Sequence, residues 1–540
     1  MLRNAGLDWV YPEELDLGTA YWWSPDSLSI AYLQFDVRGE PLHPHADLRG
    51  AAAIDEPQRY PRAGENNPDV RLGVVSATGG RTRWMDVGDT RNDHLIARVT
   101  WTPDSSKLFV VRPNRIQNRV ELLAIDAASK RVVKVLQETD PQWVNLPDAP
   151  LFVNGGARFL WLSERDGFRH IYLYSNDGAL VRQLTRGEYE VASIAGLDES
   201  GGRVFYTSSE GDPLGRQVFT VALEGGSPGQ ITSGKGTFSI VLGPFSKYYL
   251  RTASNISGVL RTTLHKGDGT ELGVYREADR RASDDYELLP IELVSYTAPD
   301  GARLYGRLIK PAGFDPNKKY PVIVQVYGGP GAQGVRDAFS GADFDQVLAH
   351  AGFVVWQTDN RGSAGRGHAF ETPVFRNLGA TELADQVAGV NYLISLGFVD
   401  AARVGIRGWS YGGFMTLNAL LNSPDVFRAG VAGAPVTDWH NYDTIYTERY
   451  MGLPQANAEG YKKTALPQAA RNLKGRLMIM HNIEDDNVLF QNTVQMIAAL
   501  ERAGKQFETV LYTQKTHGVT GADGRHRDAA ILDFFERTLK

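Results

Sequence analysis

The segment RVGIRGWSYGGFMTLNALLNS, residues 403–423, decides the fold class of this chain. It reads as a short apolar strand, a glycine-rich corner around Ser410 and an apolar helix. Gly408 to Gly412 fits the pattern G-x-S-x-G, in which a serine is held on a strained strand-to-helix turn and glycines remove clashing side chains. An ordinary glycine-rich turn is the alternative, but the flanking strand and helix favour an exposed nucleophile.

The second half of the chain alternates apolar strands with helices. Its strand-like runs include YPVIVQVYGG, GFVVWQTDNRG and RLMIMHN, and its helical runs include ELADQVAGVNYLISLG and RDAAILDFFERTL. Continuous apolar strands between helices indicate a parallel sheet covered on both faces, and therefore a doubly wound α/β domain. Another helix is predicted from about Gln491, and its periodicity places Val494, Ile497, Ala498 and Leu500 on one side.

The first 285 residues consist of short alternating runs broken by Gly, Asp, Ser and Pro, which is typical of β-structure. Two phrases recur: WWSPDSLSIAYL near Trp22 resembles TWTPDSSKLFVV near Trp101. Thr185 and Thr232 also lie in similar phrases, 47 residues apart. A spacing near one four-stranded blade predicts a β-propeller of about six blades at most, with a pair of β-sandwiches as the alternative.

Composition excludes several classes of protein. The 540 residues carry a net charge of −6 and no basic run, which argues against nucleic acid or an anionic membrane as the main partner. Cysteine is absent, so disulfides, thiolate zinc sites and cysteine nucleophiles are excluded. No apolar run reaches the roughly 18 residues of a membrane span, and the N-terminal residues lack the pattern of a signal peptide.

A serine nucleophile needs a base and an orienting acid, which should follow it along the chain in the order acid, then histidine. The acid candidates are Glu484, Asp485 and Asp486, and the sequence pattern does not choose among them. His517 in THGV is the predicted base. His526, which opens a helix, and His481, which ends a strand, are more typical of a solvated and a packed residue.

The negative charge that develops on the attacked carbonyl needs hydrogen-bond donors. One is the backbone N–H of Tyr411, directly after the nucleophile. The second is expected from the loop after VIVQVYGGPG, where the phenol of Tyr327 could donate. This chemistry needs no metal or organic cofactor.

Five segments carry a resemblance to a known family: GWSYGGF, APVTDWHNYDTIYTERYMGLP, HNIEDDNV, KTHG and DWVYPEELDLGTAYWWSPD. They resemble the dipeptidyl-peptidase IV family in the prolyl oligopeptidase clan of serine peptidases, and the likeness runs over nearly the whole chain. It implies an N-terminal β-propeller over residues 1–285 and a C-terminal α/β-hydrolase domain over residues 286–540. It also implies peptide substrates with a free N-terminus, from which dipeptides with Pro or Ala second are released.

The resemblance assigns roles to single residues. Ser410 matches the nucleophile, Asp485 the triad acid, His517 the base and Tyr327 the oxyanion tyrosine. Asn487 matches the residue that binds a substrate carbonyl. The residues that match the walls of the proline pocket are Tyr411, Val436, Trp439, Tyr442, Tyr446 and Val488. Taken alone, WHNYDTIY would be more typical of a core helix.

Glu13 and Glu14 match the acidic pair of the family. Two adjacent carboxylates are electrostatically costly unless a cation joins them, and the α-ammonium of a peptide is such a cation. The resemblance therefore implies an exopeptidase. For a Glu-Glu pair without this context, a solvated surface would be the better interpretation.

The chain departs from the family pattern at its beginning. The acidic pair of the family lies well inside the propeller, whereas here it is residues 13 and 14, so we expect the opening blades to be missing. The family's early arginine has no matching position. Exposed blade edges invite association, which leaves a homodimer open. We expect a periplasmic or extracellular protein if a missing N-terminal segment carries a signal, and a cytoplasmic one otherwise.

Two other functions compete with a dipeptidyl peptidase. One is an acylaminoacyl peptidase or oligopeptidase on the same scaffold. The other is a non-catalytic peptide-binding scaffold.

Overall fold

Five antiparallel sheets follow one another along the first half of the chain in a computed structural model that describes residues 1–278 and 284–540. The first sheet has five strands and each of the other four has four. Their strands are, sheet by sheet, β1 (Leu2–Asn4), β2 (Tyr21–Trp23), β3 (Ser29–Asp36), β8 (Asp69–Ser76) and β9 (Arg83–Trp84); β10 (Arg98–Trp101), β11 (Lys107–Pro113), β12 (Arg119–Asp126) and β13 (Val132–Thr139); β14 (Leu151–Val153), β15 (Arg158–Ser163), β16 (His170–Ser175) and β17 (Leu180–Gln183); β18 (Val191–Asp198), β19 (Arg203–Ser208), β20 (Gln217–Ala222) and β21 (Gly229–Gln230); β22 (Thr237–Leu242), β23 (Tyr248–Asn255), β24 (Gly258–Lys266) and β25 (Glu271–Arg276).

The recurring phrases fold into recurring turns. Ser24 Oγ accepts a hydrogen bond from the N–H of Ser29, and Thr102 Oγ1 accepts one from the N–H of Lys107, so both phrases close the same five-residue loop. The two threonines of the second repeat do the same between strands: Thr185 Oγ1 accepts from the N–H of Ile171, and Thr232 Oγ1 from that of Val218. The internal repeat of the sequence is therefore a structural repeat of the blades.

An arm of two small two-stranded sheets leaves the first blade-like sheet between β3 and β8. It pairs β4 (Leu42–His43) with β7 (Gln58–Arg59) and β5 (Ala46–Asp47) with β6 (Ile54–Asp55). Lys515, two residues before His517, forms ion pairs with Asp47 at 3.2 Å and with Glu56 of this arm. The arm thus reaches the second half of the chain.

The second half contains one eight-stranded sheet with the spatial order β26-β27-β29-β28-β30-β31-β32-β33. The strands are β26 (Ile291–Thr297), β27 (Arg303–Ile309), β28 (Tyr320–Gln325), β29 (Val354–Asp359), β30 (Val399–Trp409), β31 (Ala429–Gly433), β32 (Arg476–Asn482) and β33 (Glu508–Tyr512). The pairs β26–β27 and β27–β29 are antiparallel, and the other pairs are parallel. The predicted fold class, a doubly wound α/β sheet after a blade-like β region, is confirmed.

The helices of the described residues are short in the first half and cover the sheet in the second. They are α1 (Val10–Leu15), α2 (Phe344–His350), α3 (His368–Glu371), α4 (Ala380–Ser395), α5 (Tyr411–Asn422), α6 (Thr444–Met451), α7 (Ala458–Thr464), α8 (Gln491–Arg502) and α9 (Gly521–Leu539). Short 3₁₀ helices span Val37–Gly39, Asn154–Gly156, Pro244–Ser246, Thr372–Val374, Trp439–Asn441, Pro454–Ala456 and Leu466–Asn472. No helix of the described residues is both long enough and apolar enough to cross a bilayer.

Apart from Leu500, the apolar side that the periodicity gives for α8 is not its buried side. Its buried residues are Asn492, Thr493, Met496, Ala499 and Leu500, whereas Val494 is 48% exposed. The reason is that two polar side chains are satisfied inside: Asn492 Oδ1 accepts from the N–H of Thr437, and Thr493 Oγ1 lies 2.7 Å from His481 Nδ1. A periodicity count that assumes Asn and Thr face solvent therefore assigns the wrong side of the helix to the core.

The β half packs directly on the catalytic half through α6. Arg115 forms an ion pair with the buried Glu448, with a nitrogen–oxygen distance of 2.6 Å. Gln117 Nε2 donates to the carbonyl of Ile445, and Thr444 Oγ1 donates to Asn67 Oδ1. The predicted domain boundary near residue 285 falls between β25 and β26, and residues 279–283 lie outside the described residues.

Candidate active site

The corner at Ser410 has the strained geometry that its sequence predicts. The residue has φ 62° and ψ −120° between β30 and α5, in a region that residues other than glycine rarely adopt. A Cβ on Gly408 or on Gly412 would lie 2.3 Å or 2.2 Å from the carbonyl oxygen of Val326. The two glycines therefore let β30 and α5 approach the neighbouring strand closely enough to form the corner.

His517 and Asp485 are hydrogen-bonded to each other. The distance between His517 Nδ1 and Asp485 Oδ2 is 2.8 Å, and Trp409 Nε1 donates to the backbone carbonyl of His517, which holds the histidine loop beside the corner. Nε2 of His517 is buried and has no hydrogen-bond partner among the described residues. The imidazole lies 6.5 Å from the indole ring of Trp409, the residue that precedes Ser410.

Asp485 is fully buried and held by several donors. It accepts hydrogen bonds from the backbone N–H groups of Asn487 and Val488, both at 2.9 Å, and His481 Nε2 lies 3.2 Å away. Burial alone would raise the pKa of Asp485, but the bonds to His481 and His517 hold this pKa below its ordinary value. Burial would in turn lower the pKa of His517, but the carboxylate of Asp485 raises it above its ordinary value.

The other acids and histidines that the sequence offered lie elsewhere. Glu484 is paired with Lys515 at 3.4 Å, and the backbone carbonyl of Asp486 accepts from Gln58 Nε2. His481 is packed beneath Asp485, and His526 Nδ1 lies 3.1 Å from the hydroxyl of Tyr512. Of the three acids, the geometry joins only Asp485 to His517 within the described residues.

The two donors predicted for an oxyanion belong to neighbouring tyrosines. The N–H of Tyr411 belongs to the first turn of α5, whose N–H groups have no acceptor within the helix. The ring of Tyr327 lies 6.1 Å from that of Tyr411, and Tyr327 is 42% exposed. The partial burial of its phenol and the charges of Glu14 and Glu13 raise the pKa of Tyr327 to about 12, so the hydroxyl keeps its proton at neutral pH.

An aromatic cluster adjoins these donors. The rings of Trp439 and Tyr446 stack at 5.9 Å and 16°, and Tyr442 stands edge-on to both of them. Tyr411 completes the cluster at 5.5 Å from Trp439. The predicted apolar residues of the pocket, Val436 and Val488, are buried. Flat faces at these angles suit a flat apolar ring.

The acidic pair on α1 reaches this cluster through one amide. Asn487 Nδ2 donates to Glu13 Oε1, and Asn487 Oδ1 accepts from the hydroxyl of Tyr442 at 2.7 Å. The hydroxyl of Tyr60 binds the backbone carbonyl of Asn487. The orientation of the Asn487 amide follows from its partners, because a carboxylate can only accept and Tyr442 here donates.

Glu13 and Glu14 have different surroundings. Glu13 is exposed, whereas Glu14 is half-buried beside Asp443 and Arg449. Burial and the charge of Asp443 raise the pKa of Glu14 well above its ordinary value, and burial raises the pKa of Asp443 to about 7. A pair of neighbouring carboxyl groups, one buried and one half-buried, is stabilised when a cation approaches it.

Sequence reasoning missed Asp443, Arg449 and Gln117. Asp443 caps α6 by accepting from the N–H of Tyr446, and Arg449 donates to Gln117 Oε1 at 2.7 Å and to the backbone carbonyl of Glu14. Arg449 lies three residues after Tyr446 on the same helix, so the two side chains share a face. The sequence therefore could have placed Arg449 near the predicted pocket residue Tyr446. Gln117 gave no signal, because its role depends on the packing of the two halves.

A doubly wound sheet with a strained serine at the carboxyl end of a central strand defines an α/β-hydrolase, and the blade-like sheets packed against it are typical of its peptidases. Two family models match the chain: the dipeptidyl peptidase IV (DPP IV) N-terminal region over residues 1–258 and the prolyl oligopeptidase family over residues 342–540. The chain belongs to the dipeptidyl-peptidase IV family and is a serine peptidase.

Relatives match over most of their length. A dipeptidyl peptidase 4 of Trichophyton equinum is 32% identical over 96% of this chain and 70% of its own. The prolyl endopeptidase FAP of Bos taurus is 30% identical over 98% of this chain and 73% of its own. The crystal structure of Porphyromonas gingivalis dipeptidyl peptidase 4 superposes with a TM-score of 0.95 at 33% identity, covering 100% of this chain and 77% of that one.

Proposed function

We propose that this serine dipeptidyl peptidase releases Xaa-Pro and Xaa-Ala dipeptides from peptides with a free N-terminus. The observation that carries the proposal is the hydrogen-bonded path from Tyr442 through Asn487 to Glu13. This path connects the aromatic cluster, which includes Tyr411 next to Ser410 in sequence, to an acidic side chain that would meet the N-terminal end of a bound peptide. Relatives named dipeptidyl peptidase 4 support the same class of reaction.

In the proposed reaction, Ser410 Oγ attacks the carbonyl carbon of the second substrate residue, and His517 Nε2 takes the hydroxyl proton. The N–H of Tyr411 and the hydroxyl of Tyr327 stabilise the resulting oxyanion. The carbon–nitrogen bond then breaks, and the imidazolium gives its proton to the departing amine. Water, deprotonated by the same histidine, hydrolyses the acyl-enzyme and releases the dipeptide.

Selection of chain ends is assigned to Glu13 and Glu14. The α-ammonium of the substrate supplies the cation that compensates their charge and that of Asp443. Asn487 is suited to hold the carbonyl of the first residue, because its amide already lies between Glu13 and Tyr442. The proline or alanine side chain is assigned to the pocket of Trp439, Tyr442 and Tyr446.

Chromogenic Gly-Pro and Ala-Pro anilides test the proposal, each with a free and with an acetylated amine. We expect turnover of the free-amine compounds and a loss of at least about 10²-fold in kcat/KM on acetylation, because a neutral amide cannot compensate the buried acids. Glu13→Gln should reduce kcat/KM for the free-amine compounds and leave the rates with acetylated compounds unchanged. Equal rates on free and acetylated compounds would refute exopeptidase specificity.

The similarity to a bovine prolyl endopeptidase makes an endopeptidase or acylaminoacyl peptidase the alternative to test. An oligopeptidase or acylaminoacyl peptidase would prefer the acetylated compounds, or an internal Gly-Pro bond. A non-catalytic scaffold would leave Ser410 unlabelled by a fluorophosphonate in a folded sample.

We also propose a homodimer formed through the arm of residues 42–59. This arm projects from the first sheet and exposes Leu42, Leu48 and Ile54 to solvent. Exposed aliphatic side chains on small projecting strands are typical of protein interfaces. Light scattering should give twice the chain mass for the wild type, and the monomer mass for a Leu48→Asp, Ile54→Asp variant. A monomeric wild type would overturn this assignment.

A further inference from the structure

A second group of ionisable side chains lies outside the active site, where the third β-sheet meets the catalytic half. Glu164 follows β15, and His368 and Glu371 form the two ends of α3. Asp140 follows β13 of the neighbouring sheet and faces the same histidine. The reaction proposed above uses none of these four residues, which we call the interface cluster.

The potential ligand atoms of the interface cluster converge. One ligand atom from each of Glu164, His368 and Glu371 lies within 4.8 Å of the other two. His368 Nδ1 is 3.3 Å from Glu164 Oε2 and 3.8 Å from Glu371 Oε2. Ligands bound to one tetrahedral ion at the usual lengths of about 2.0–2.2 Å are about 3.3–3.6 Å apart, so the observed spacing is close to that of a metal site.

The interface cluster is partly buried, and it holds more carboxylates than cationic groups. Both ring nitrogens of His368 are inaccessible to solvent, and neither has a partner in hydrogen-bonding geometry among the described residues. Glu371 is 4% exposed. Three carboxylates therefore face one imidazole, and Glu190, which binds the N–H of Gly367, adds a fourth acid nearby.

The neighbouring arginines are engaged elsewhere. Arg165 is paired with Glu138, and Arg169 donates to the backbone carbonyls of Val191 and Ala192. Neither guanidinium forms an ion pair with the interface cluster among the described residues. Neither Arg165 nor Arg169 therefore neutralises the negative charge of the cluster.

Asn145 holds two of the carboxylates in place. Its Nδ2 donates to Glu164 Oε2 at 2.8 Å and to Glu371 Oε2 at 2.6 Å. Trp143 Nε1, which can only donate, binds Asn145 Oδ1 at 2.9 Å and so fixes the orientation of the amide. Outer hydrogen bonds that orient carboxylates in this way are a regular feature of metal sites.

We propose that Glu164, Glu371 and Nδ1 of His368 bind a divalent transition-metal ion of the zinc type, and that Asp140, 3.2 Å from Nε2 of His368, orients this ligand from its other nitrogen. A mixed imidazole and carboxylate set favours Zn²⁺ over Mg²⁺ or Ca²⁺, which prefer oxygen ligands alone. A cavity of about 280 Å³, lined by Asp140, Glu164 and His368, gives the ion a route from solvent. The ion is structural, because it would join the β half to α3 of the catalytic half.

The alternative to a metal ion in the interface cluster is a proton on His368. Burial would lower the pKa of His368, but the neighbouring carboxylates of Glu164, Glu371 and Asp140 raise it to about 10. An imidazolium could therefore supply the missing positive charge. The experiment has to separate an ion from a proton, and it does so without measuring peptidase activity.

The full chain is stripped with a chelator, dialysed and titrated with ZnCl₂ or CoCl₂, with MgCl₂ and CaCl₂ as comparison ions. We expect about one tightly bound Zn²⁺ per chain, and visible absorption of four- or five-coordinate Co²⁺. His368→Ala and the isosteric Glu371→Gln should weaken Zn²⁺ binding at least about tenfold, and Asn145→Leu about 10- to 100-fold. Asp148→Asn, an exposed acid on the same cavity wall, is the matched control and should bind as the wild type does.

Two results would overturn the metal site. One is a wild-type chain that retains no Zn²⁺ and gives no Co²⁺ absorption, which would assign the interface cluster to a protonated His368. The other is Zn²⁺ binding of equal affinity in wild type and His368→Ala, which would put the ion elsewhere. The Co²⁺ spectrum of the wild type needs no variant, so a variant that fails to fold leaves the test intact.

Discussion

At the scale of single residues, hydrogen-bond donors decide which of three adjacent acids serves the histidine. Asp485 receives two backbone N–H groups and His517 Nδ1, whereas Glu484 and Asp486 have other contacts. These bonds keep Asp485 ionised although it is buried, and its charge raises the pKa of His517. The acid thereby fixes both the tautomer and the basicity of the imidazole.

The raised pKa of His517 predicts the acid limb of the pH profile. A base acts only when neutral, so kcat should fall as the pH decreases through a value above the ordinary 6.5 of histidine. Asp485→Asn removes the charge that raises this pKa; the limb should move to lower pH, and kcat should drop about 10⁴-fold. The measurement is kcat for Gly-Pro anilide as a function of pH. If the acid limb of the wild-type enzyme has its midpoint below pH 6.5, the assignment of His517 as the base is contradicted.

A second prediction concerns the bond between Tyr442 and Asn487. Tyr442→Phe removes the hydroxyl that donates to Asn487 Oδ1 at 2.7 Å and leaves the ring in place. The loss of a typical hydrogen bond predicts a decrease of about 3- to 10-fold in kcat/KM for Ala-Pro anilide. Tyr512→Phe, which removes a hydroxyl that contacts His526, is the control. An unchanged kcat/KM in Tyr442→Phe would show that Asn487 needs no orienting partner.

At the scale of elements, the contact between β28, β30 and α5 depends on the absence of side chains. A Cβ added at Gly412 would lie 2.2 Å from a backbone oxygen of Val326, and neither backbone can yield without moving a central strand. Gly412→Ala should therefore lower the midpoint of thermal unfolding by several degrees or prevent folding. Gly18→Ala, with no atom within 4 Å of the added Cβ, should unfold as the wild type does.

The contact of α6 with the β half extends the argument to the whole molecule. Glu448 is buried and bound by Arg115 and by the N–H of Gly64, so it depends on two groups from the other half. The same helix carries Tyr446 and Arg449 of the candidate site. Stability of the interface and geometry of the substrate pocket are therefore coupled.

Arg115→Met tests this coupling. It leaves the Glu448 carboxylate buried without its cation, which should cost about 3–5 kcal/mol of stability at the interface. We expect a lower midpoint of thermal unfolding and a higher KM for Ala-Pro anilide. Arg403→Met, which breaks the half-exposed pair with Asp400, should change neither quantity measurably. A Tm equal to that of the wild type would mean that water compensates Glu448.

Much of this architecture could be predicted because its signals are local. The corner at Ser410, the repeated Ser-Pro-Asp and Thr-Pro-Asp turns and the alternation of strands and helices each depend on residues close in sequence. The buried face of α8 could not be predicted from its periodicity, because Asn492 and Thr493 are buried only where Thr437 and His481 meet them. A periodicity rule has no access to such partners.

The sequence by itself determined the family, and it predicted the order of nucleophile, acid and base along the chain and the residue types of the pocket. Only the tertiary structure decided that Arg449 and Asp443 surround Glu14 and that Glu164 meets His368, and only it shows the hydrogen bond between Asp485 and His517. The physical reason is distance along the chain. Local backbone preferences are set by neighbours in sequence, whereas burial and charge pairing arise when segments hundreds of residues apart pack together.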